Sequence, residues 1–188
     1  MEIVLKKKEA GSAIGYVVLF TVALLMVVLT LYLAQVAKLM THQHHIDDSL
    51  ANSVLASLVA DDVYYFETGE MTGTPVIRFQ NVDESQRIFM DCMNDAIADT
   101  DGFYYNFAFD EFICYEVEGS IIKVTSYSGA AGTRSIRSGS VGSVRTPDGE
   151  VVRETSAYGK VKFDIKSIID GSFITKAKDM YCTLEINN

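Results

Sequence analysis

Between Gly11 and Ala37 the chain reads GSAIGYVVLFTVALLMVVLTLYLAQVA, 27 residues without a charged side chain. As a helix rising about 1.5 Å per residue this run reaches roughly 40 Å, more than the ~30 Å hydrocarbon core of a bilayer. It is apolar all round, whereas a core helix of a soluble domain needs only one apolar stripe. A membrane helix is therefore the expectation that constrains everything else. Lys6, Lys7 and Lys8 precede the run, and Lys38 is the first charge after it, ahead of Asp47 and Asp48. The cationic cluster favours the cytoplasmic side, which puts the N-terminus inside and the remainder of the chain outside. A conventional secretory signal fits poorly, because its apolar region spans only about 7–15 residues and ends in small residues at the cleavage site. Here Tyr32/Ala34 and Gln35/Ala37 place a bulky residue at the −3 position.

No Pro or Gly occurs between Gly15 and Gly69. Past the apolar run, Ile46, Leu50, Val54 and Leu58 recur every fourth residue, with Leu55 and Val59 beside them, a period that gives a helix one buried face. The spacing predicts one long helix over residues 12–61, membrane-spanning over 12–37 and amphipathic over 38–61. Asp61 and Asp62 oppose the macrodipole at its C-terminal end and suit a stop there.

A basic leader, residues 1–11, followed by Gly11-Ser12-Ala13-Ile14 at the head of the apolar run, resembles a class III (prepilin-type) signal. The Gly-Ser-Ala opening is most similar to TadE-like pseudopilins of tight-adherence (Tad) pilus systems. The resemblance covers about the first 60 residues. It implies cleavage between Gly11 and Ser12 by a prepilin-type peptidase, retention of the helix, and assembly with other pilin-like subunits through it. The chain departs from the family at the fifth residue counted from Ser12. The usual Glu, which in the family neutralises a neighbour's N-terminal amine, is Tyr16 here, and a phenol can hydrogen-bond an ammonium without cancelling its charge. Glu9 cannot take its place, because cleavage removes it. The same residues carry a second reading. Gly11 and Gly15 form a GxxxG spacing that lets two membrane helices approach closely. With the leader retained, they would mark a helix–helix contact in a single-pass anchored binding or assembly module of a cell-envelope complex.

The remaining residues, 62–188, are enough for one extracytoplasmic domain with a proper core. The 188-residue chain has a net charge of −9, which argues against nucleic acid as a partner and leaves membrane lipid as the partner of the apolar helix. DVYYFE (62–67) and PVIRFQ (75–80) read as short strands. Residues 83–99 read as a helix, capped by Asp83 with Gln86 at capping-box spacing. The run 103–118 is rich in Phe and Tyr and reads as a core strand that Phe107 and Phe109 help to fill. Glu118-Gly119-Ser120 turns it into a second strand at 121–127. The Gly/Ser-rich segment 128–150 reads as a long mobile loop or a loosely held hairpin, whose arginines could meet an acidic patch on a neighbouring subunit. Val161, Phe163 and Ile165 alternate as in a half-buried strand, and Asp170-Gly171 leads into a last strand ending near 186. The expected class is α+β: the long N-terminal helix, then a small head with one helix on an antiparallel sheet.

The residues point away from enzymatic chemistry and imply no cofactor. All three histidines, His42, His44 and His45, precede the head, so Ser-His-Asp or Cys-His catalysis has no base there. His44 and His45 stand at helical spacing from Asp48, but two ligands on one helix make a weak metal site, and none is assigned. Cys92, Cys114 and Cys182 lack CxxC spacing. Cys114 and Cys182, both in strand-like sequence, are a candidate disulfide pair, with buried free thiols the commoner fate of such residues.

Overall fold

The computed structural model describes residues 2–100, 102–167 and 170–185, with side chains described from residue 13 onward. Three helices, α1 (Glu2–Ser57), α2 (Asp62–Thr72) and α3 (Val82–Ala98), precede five strands. These are β1 (Tyr104–Glu118), β2 (Ile121–Ser128), β3 (Thr133–Ser140), β4 (Ser156–Lys166) and β5 (Phe173–Thr183). The strands form one antiparallel sheet in the order β3-β2-β1-β4-β5. The protein is thus α+β, with a long apolar N-terminal helix ahead of the sheet. Two compact units divide it, residues 1–43 and 44–188. The last part of α1 belongs to the second unit, because its stripe is spent there: Ile46, Leu50 and Val54 are at most 1% exposed.

The stripe and α3 cover one face of the sheet. Phe89 of α3 stacks on Phe112 of β1 at 4.8 Å, and a Cβ built on Gly159 of β4 would lie under 3 Å from Val54 and Phe89. Lys178 of β5 reaches Asp47 of α1 at 2.7 Å on the same side, and the His45 ring nitrogen meets the Ala96 carbonyl at 3.2 Å, tying α1 to α3. The opposite face carries a second, smaller core of Ile113, Tyr115, Ile122, Val124, Val152 and Tyr158, with Val117, Val144 and Tyr181 against it. Two of those residues, Val144 and Val152, come from the connection between β3 and β4.

Several local expectations are corrected. Residues 62–67 are not a strand. Asp61 accepts a hydrogen bond from the Tyr64 amide, and Gly73 closes the element in the left-handed region. The two caps hold α2 helical despite its Val-Tyr-Tyr-Phe run. Helix α1 accordingly stops at Ser57, short of residue 61, and Leu55 is exposed. Residues 75–80 contribute only one bridge, between Phe79 and Ala60. Asn81, not Asp83, caps α3, accepting from the Asp83 and Glu84 amides. Phe107 and Phe109 are half-buried, and the centre of β1 is filled instead by Phe112 to Tyr115. Of the two readings of segment 128–150, the hairpin holds and the long mobile loop does not. The first half of the segment is β3, in register with β2 from Ser128↔Thr133 to Ile121↔Ser140, and its second half lies over the smaller core. Cys114 and Cys182 are both free. They share a row in which each pairs with Ala157 of the intervening strand. Two strand spacings make about 9–10 Å, beyond the ~4.4–6.8 Å that a disulfide spans.

Candidate functional site

The apolar part of α1 is the first candidate. Sixteen large apolar or aromatic side chains from Ile14 to Leu33 are 52–73% exposed, on every side of the helix. The hydroxyls of Thr21, Thr30 and Thr41 donate to the carbonyls of Val17, Met26 and Ala37, one turn back. No hydroxyl among them asks for a solvent partner, as a helix in a medium without water requires. The helix is long and apolar enough to span a membrane. Tyr16 and Tyr32 stand near either end of the run, about 24 Å apart along the axis, where amphipathic rings suit the two membrane interfaces. Tyr32, which in the sequence counts only against a signal-peptidase site, gains an interfacial role from this spacing. A Cβ on Gly15 would meet nothing within 4 Å, so this part of the helix is open to a close-packed neighbour. Lys6, Lys7, Lys8, Gly11 and Ser12 belong to α1 by backbone, and their side chains lie outside the described residues.

The second candidate is a cleft of about 680 Å³ in the head, between segment 76–83 and the β1–β2 hairpin. Three ion pairs organise it. Arg78 donates from Nη2 and Nε to Asp61 Oδ2 at 2.7 and 3.0 Å and lies 3.5 Å over the Tyr64 ring. That guanidinium, helped by the Tyr64 amide, holds the Asp61 carboxyl below the usual aspartate value. Lys123 meets Glu116 at 2.9 Å, and Arg134 meets Asp83 at 3.2 Å. Asp83 also accepts from the Tyr127 hydroxyl at 2.5 Å, which pins the first turn of α3 to β2. Each of these cations is matched by a carboxylate, and among the described residues no histidine or cysteine lines the cleft. The arrangement offers a polar, electrically balanced surface without a nucleophile–base pair.

Elsewhere the chemically interesting residues are dispersed. His44 is exposed, and His45 is engaged with Ala96. Among the described residues no three His, Cys, Asp or Glu converge as for a metal ion. Burial pushes the Cys114 thiol well above its ordinary value, so it is an inert core group. No protein-family description, curated protein or solved structure matches the chain.

Proposed function

We propose that the chain is a pilin-like structural subunit, a pseudopilin or minor pilin of a Tad or type IV-type pilus or a related secretion system, and not an enzyme. One observation carries the reading. A single helix is apolar and uncovered on all sides over Ile14–Leu33, then turns one buried stripe, Ile46, Leu50 and Val54, onto a folded head. Such a helix is stored in lipid and can exchange lipid for neighbouring subunits, while the head forms the exposed surface. Lys6–Lys8 hold the N-terminus in the cytoplasm, and a prepilin-type peptidase cuts between Gly11 and Ser12.

The test is the N-terminus of the protein isolated from its native host. Intact mass should correspond to a chain beginning at Ser12, and Gly11→Val should leave the precursor uncut in the membrane, because a side chain there obstructs a tight cleavage pocket. Native protein that begins at Met1, with Gly11→Val harmless, would sink the reading. Tyr16 favours a second one: without the acidic residue at this position, the helix serves as a permanent anchor, and the head is a binding or assembly module of an envelope complex. Under that reading Gly11→Val changes at most the affinity between helices at the Gly11/Gly15 face.

A further inference from the structure

Charge is segregated along this chain. Residues 39–77 hold six carboxylates and no Lys or Arg, whereas residues 119–147 hold Lys123, Arg134, Arg137 and Arg145 and no carboxylate. Folding matches part of each set, through Asp47–Lys178, Asp61–Arg78, Lys123–Glu116 and Arg134–Asp83. Asp62, Glu67 and Glu70 of α2 and Arg137 of β3 form no ion pair among the described residues.

The leftover charges sit beside uncovered apolar side chains. On α2, Val63, Phe66, Glu67 and Glu70 follow the i, i+3, i+4, i+7 spacing of one helix face, with Met71 at its margin. Val63, Phe66 and Met71 are 68%, 67% and 85% exposed. Across the sheet, β3 is an edge strand, so one side of its backbone is unpaired. Its register with β2 places Arg134 and Ile136 on one face and Arg137 on the other, and Ile136 is 55% exposed. Exposed edges are commonly covered by a helix or a loop. An 11-residue helix is about 16 Å long and an 8-residue strand about 26 Å, so α2 fits within the length of β3.

We propose that the outward face of α2 in one copy docks along the β3 edge of a second copy, with Glu67 and Glu70 against Arg137 and against Arg134, whose charge is shared with Asp83 of its own head, and Phe66 against Ile136. Opposite charge and exposed apolar surface on both sides argue for this occupant. The two patches are different surfaces of one chain, so the contact is heterologous and leaves a free patch at each end of an open string. The inference rests on the reading of the chain as an assembling subunit and adds a contact at the level of the head.

The test uses the full chain in nonionic detergent, which sheathes the apolar helix, and follows self-association by sedimentation velocity. One variant carries Arg134→Glu and Arg137→Glu; the other carries Glu67→Arg and Glu70→Arg. Each alone should associate at least about tenfold more weakly than the parent. Mixed together, the two should associate again, because the acidic edge of one faces the basic helix of the other. Recovery on mixing also shows that both variants are folded. Raising salt from about 50 to about 500 mM should weaken the parent's association. A parent that stays monomeric, or variants that associate as the parent does, would overturn the proposal. So would arginine reversal that abolishes binding to phosphatidylglycerol vesicles with no recovery on mixing, since the arginines would then face lipid. Native protein beginning at Met1 would count against the pilin reading alone and leave the mixing result unaffected.

Discussion

Gly159 is the position where the head's construction is most exposed to a one-carbon change. It lies in β4 beneath both covering helices, and a Cβ added there would stand 2.7 Å from Phe89 Cε2, 2.8 Å from Val54 Cγ2 and 2.9 Å from Phe89 Cζ. Neither neighbour can give way freely. Phe89 is stacked on Phe112 and set edge-on to Phe109, and Val54 is fully buried. Overpacking of this kind costs about 1–3 kcal/mol. Replacing glycine returns about 0.4–1 kcal/mol through the unfolded chain where the backbone suits alanine, and this glycine lies outside the left-handed region. The clash wins, and Gly159→Ala should be about 0.5–2 kcal/mol less stable than the parent. At about 2–4 °C per kcal/mol for a chain of this size, its Tm should fall by roughly 1–8 °C. The chain has ten tyrosines and no tryptophan, so near-UV circular dichroism of the detergent-solubilised protein reports the melting. Val54→Ala removes one of the two clashing partners, and combining the two substitutions should cost less than their sum by about 0.5–3 kcal/mol. An unchanged or raised Tm for Gly159→Ala, or strictly additive effects, would refute this account of how α1 and α3 seat on the sheet.

Two further outcomes follow from charge and thiols. Asp110 is held below the ordinary aspartate value by its hydrogen bond to Lys162, at 2.5 Å, and by Lys160 at 3.3 Å. A carboxyl depressed in the folded state stabilises above the ordinary value, and that stability is lost as pH falls through its folded pKa. Lys162→Met should therefore lower stability by about 0.2–1 kcal/mol near neutral pH. The gap in Tm should close as pH is lowered past the ordinary value of 3.8; a gap that persists in acid would assign the effect to packing. For the thiols, the native protein should show the same mass with and without reductant. Cys92 and Cys182, half-buried, should alkylate before Cys114, which should react only on unfolding. A Cys114–Cys182 disulfide in native protein would contradict the register of β1, β4 and β5.

The elements legible in the sequence were those whose own residues state their environment. The stripe of Ile46, Leu50 and Val54 has helical period, and Val161, Phe163 and Ile165 alternate, so each announces one buried face. The turns at Gly119 and Gly171 were readable for a similar local reason, both glycines having positive φ. Helix α2 was not legible because two signals conflict: its aromatic and β-branched residues favour a strand, and its caps decide otherwise. Strand β3 has no apolar alternation at all. What makes it a strand is the ladder offered by β2, a partner that its own composition does not name. The smaller core was hidden for the same reason, since Val144 stands alone in a Gly- and Ser-rich stretch and Val152 belongs to a two-residue apolar pair, Val151-Val152, between charged residues. Of the candidate sites, the apolar helix was read directly, whereas the cleft depends on Asp61, Arg78, Asp83, Glu116, Lys123 and Arg134 converging from distant segments.

The exposed part of α1 sets what an assembly of the proposed kind must accomplish. Fully burying one large apolar side chain contributes about 1.5–3 kcal/mol. Sixteen such side chains between Ile14 and Leu33, each half to three-quarters uncovered, therefore represent roughly 15–30 kcal/mol, more than the ~5–15 kcal/mol that holds a typical domain together. That magnitude excludes water as the resting environment, but it does not choose between lipid and neighbouring subunits. Lipid tails are as apolar as leucine, so moving the helix from bilayer to bundle gains little from the hydrophobic effect. The choice must come from terms that differ between the two surroundings. Close packing at Gly15, where no Cβ stands in the way, is one. In the proposed assembly, the hydrogen bond that the Tyr16 hydroxyl oxygen would accept from a neighbour's N-terminal ammonium is another, weaker than the charge pairing a carboxylate would give. The weaker the preference at the N-terminal end, the more the balance depends on contacts between heads. If the chain assembles, reversing charges on α2 or β3 should then shift incorporation more than any single aliphatic substitution between Val17 and Leu33.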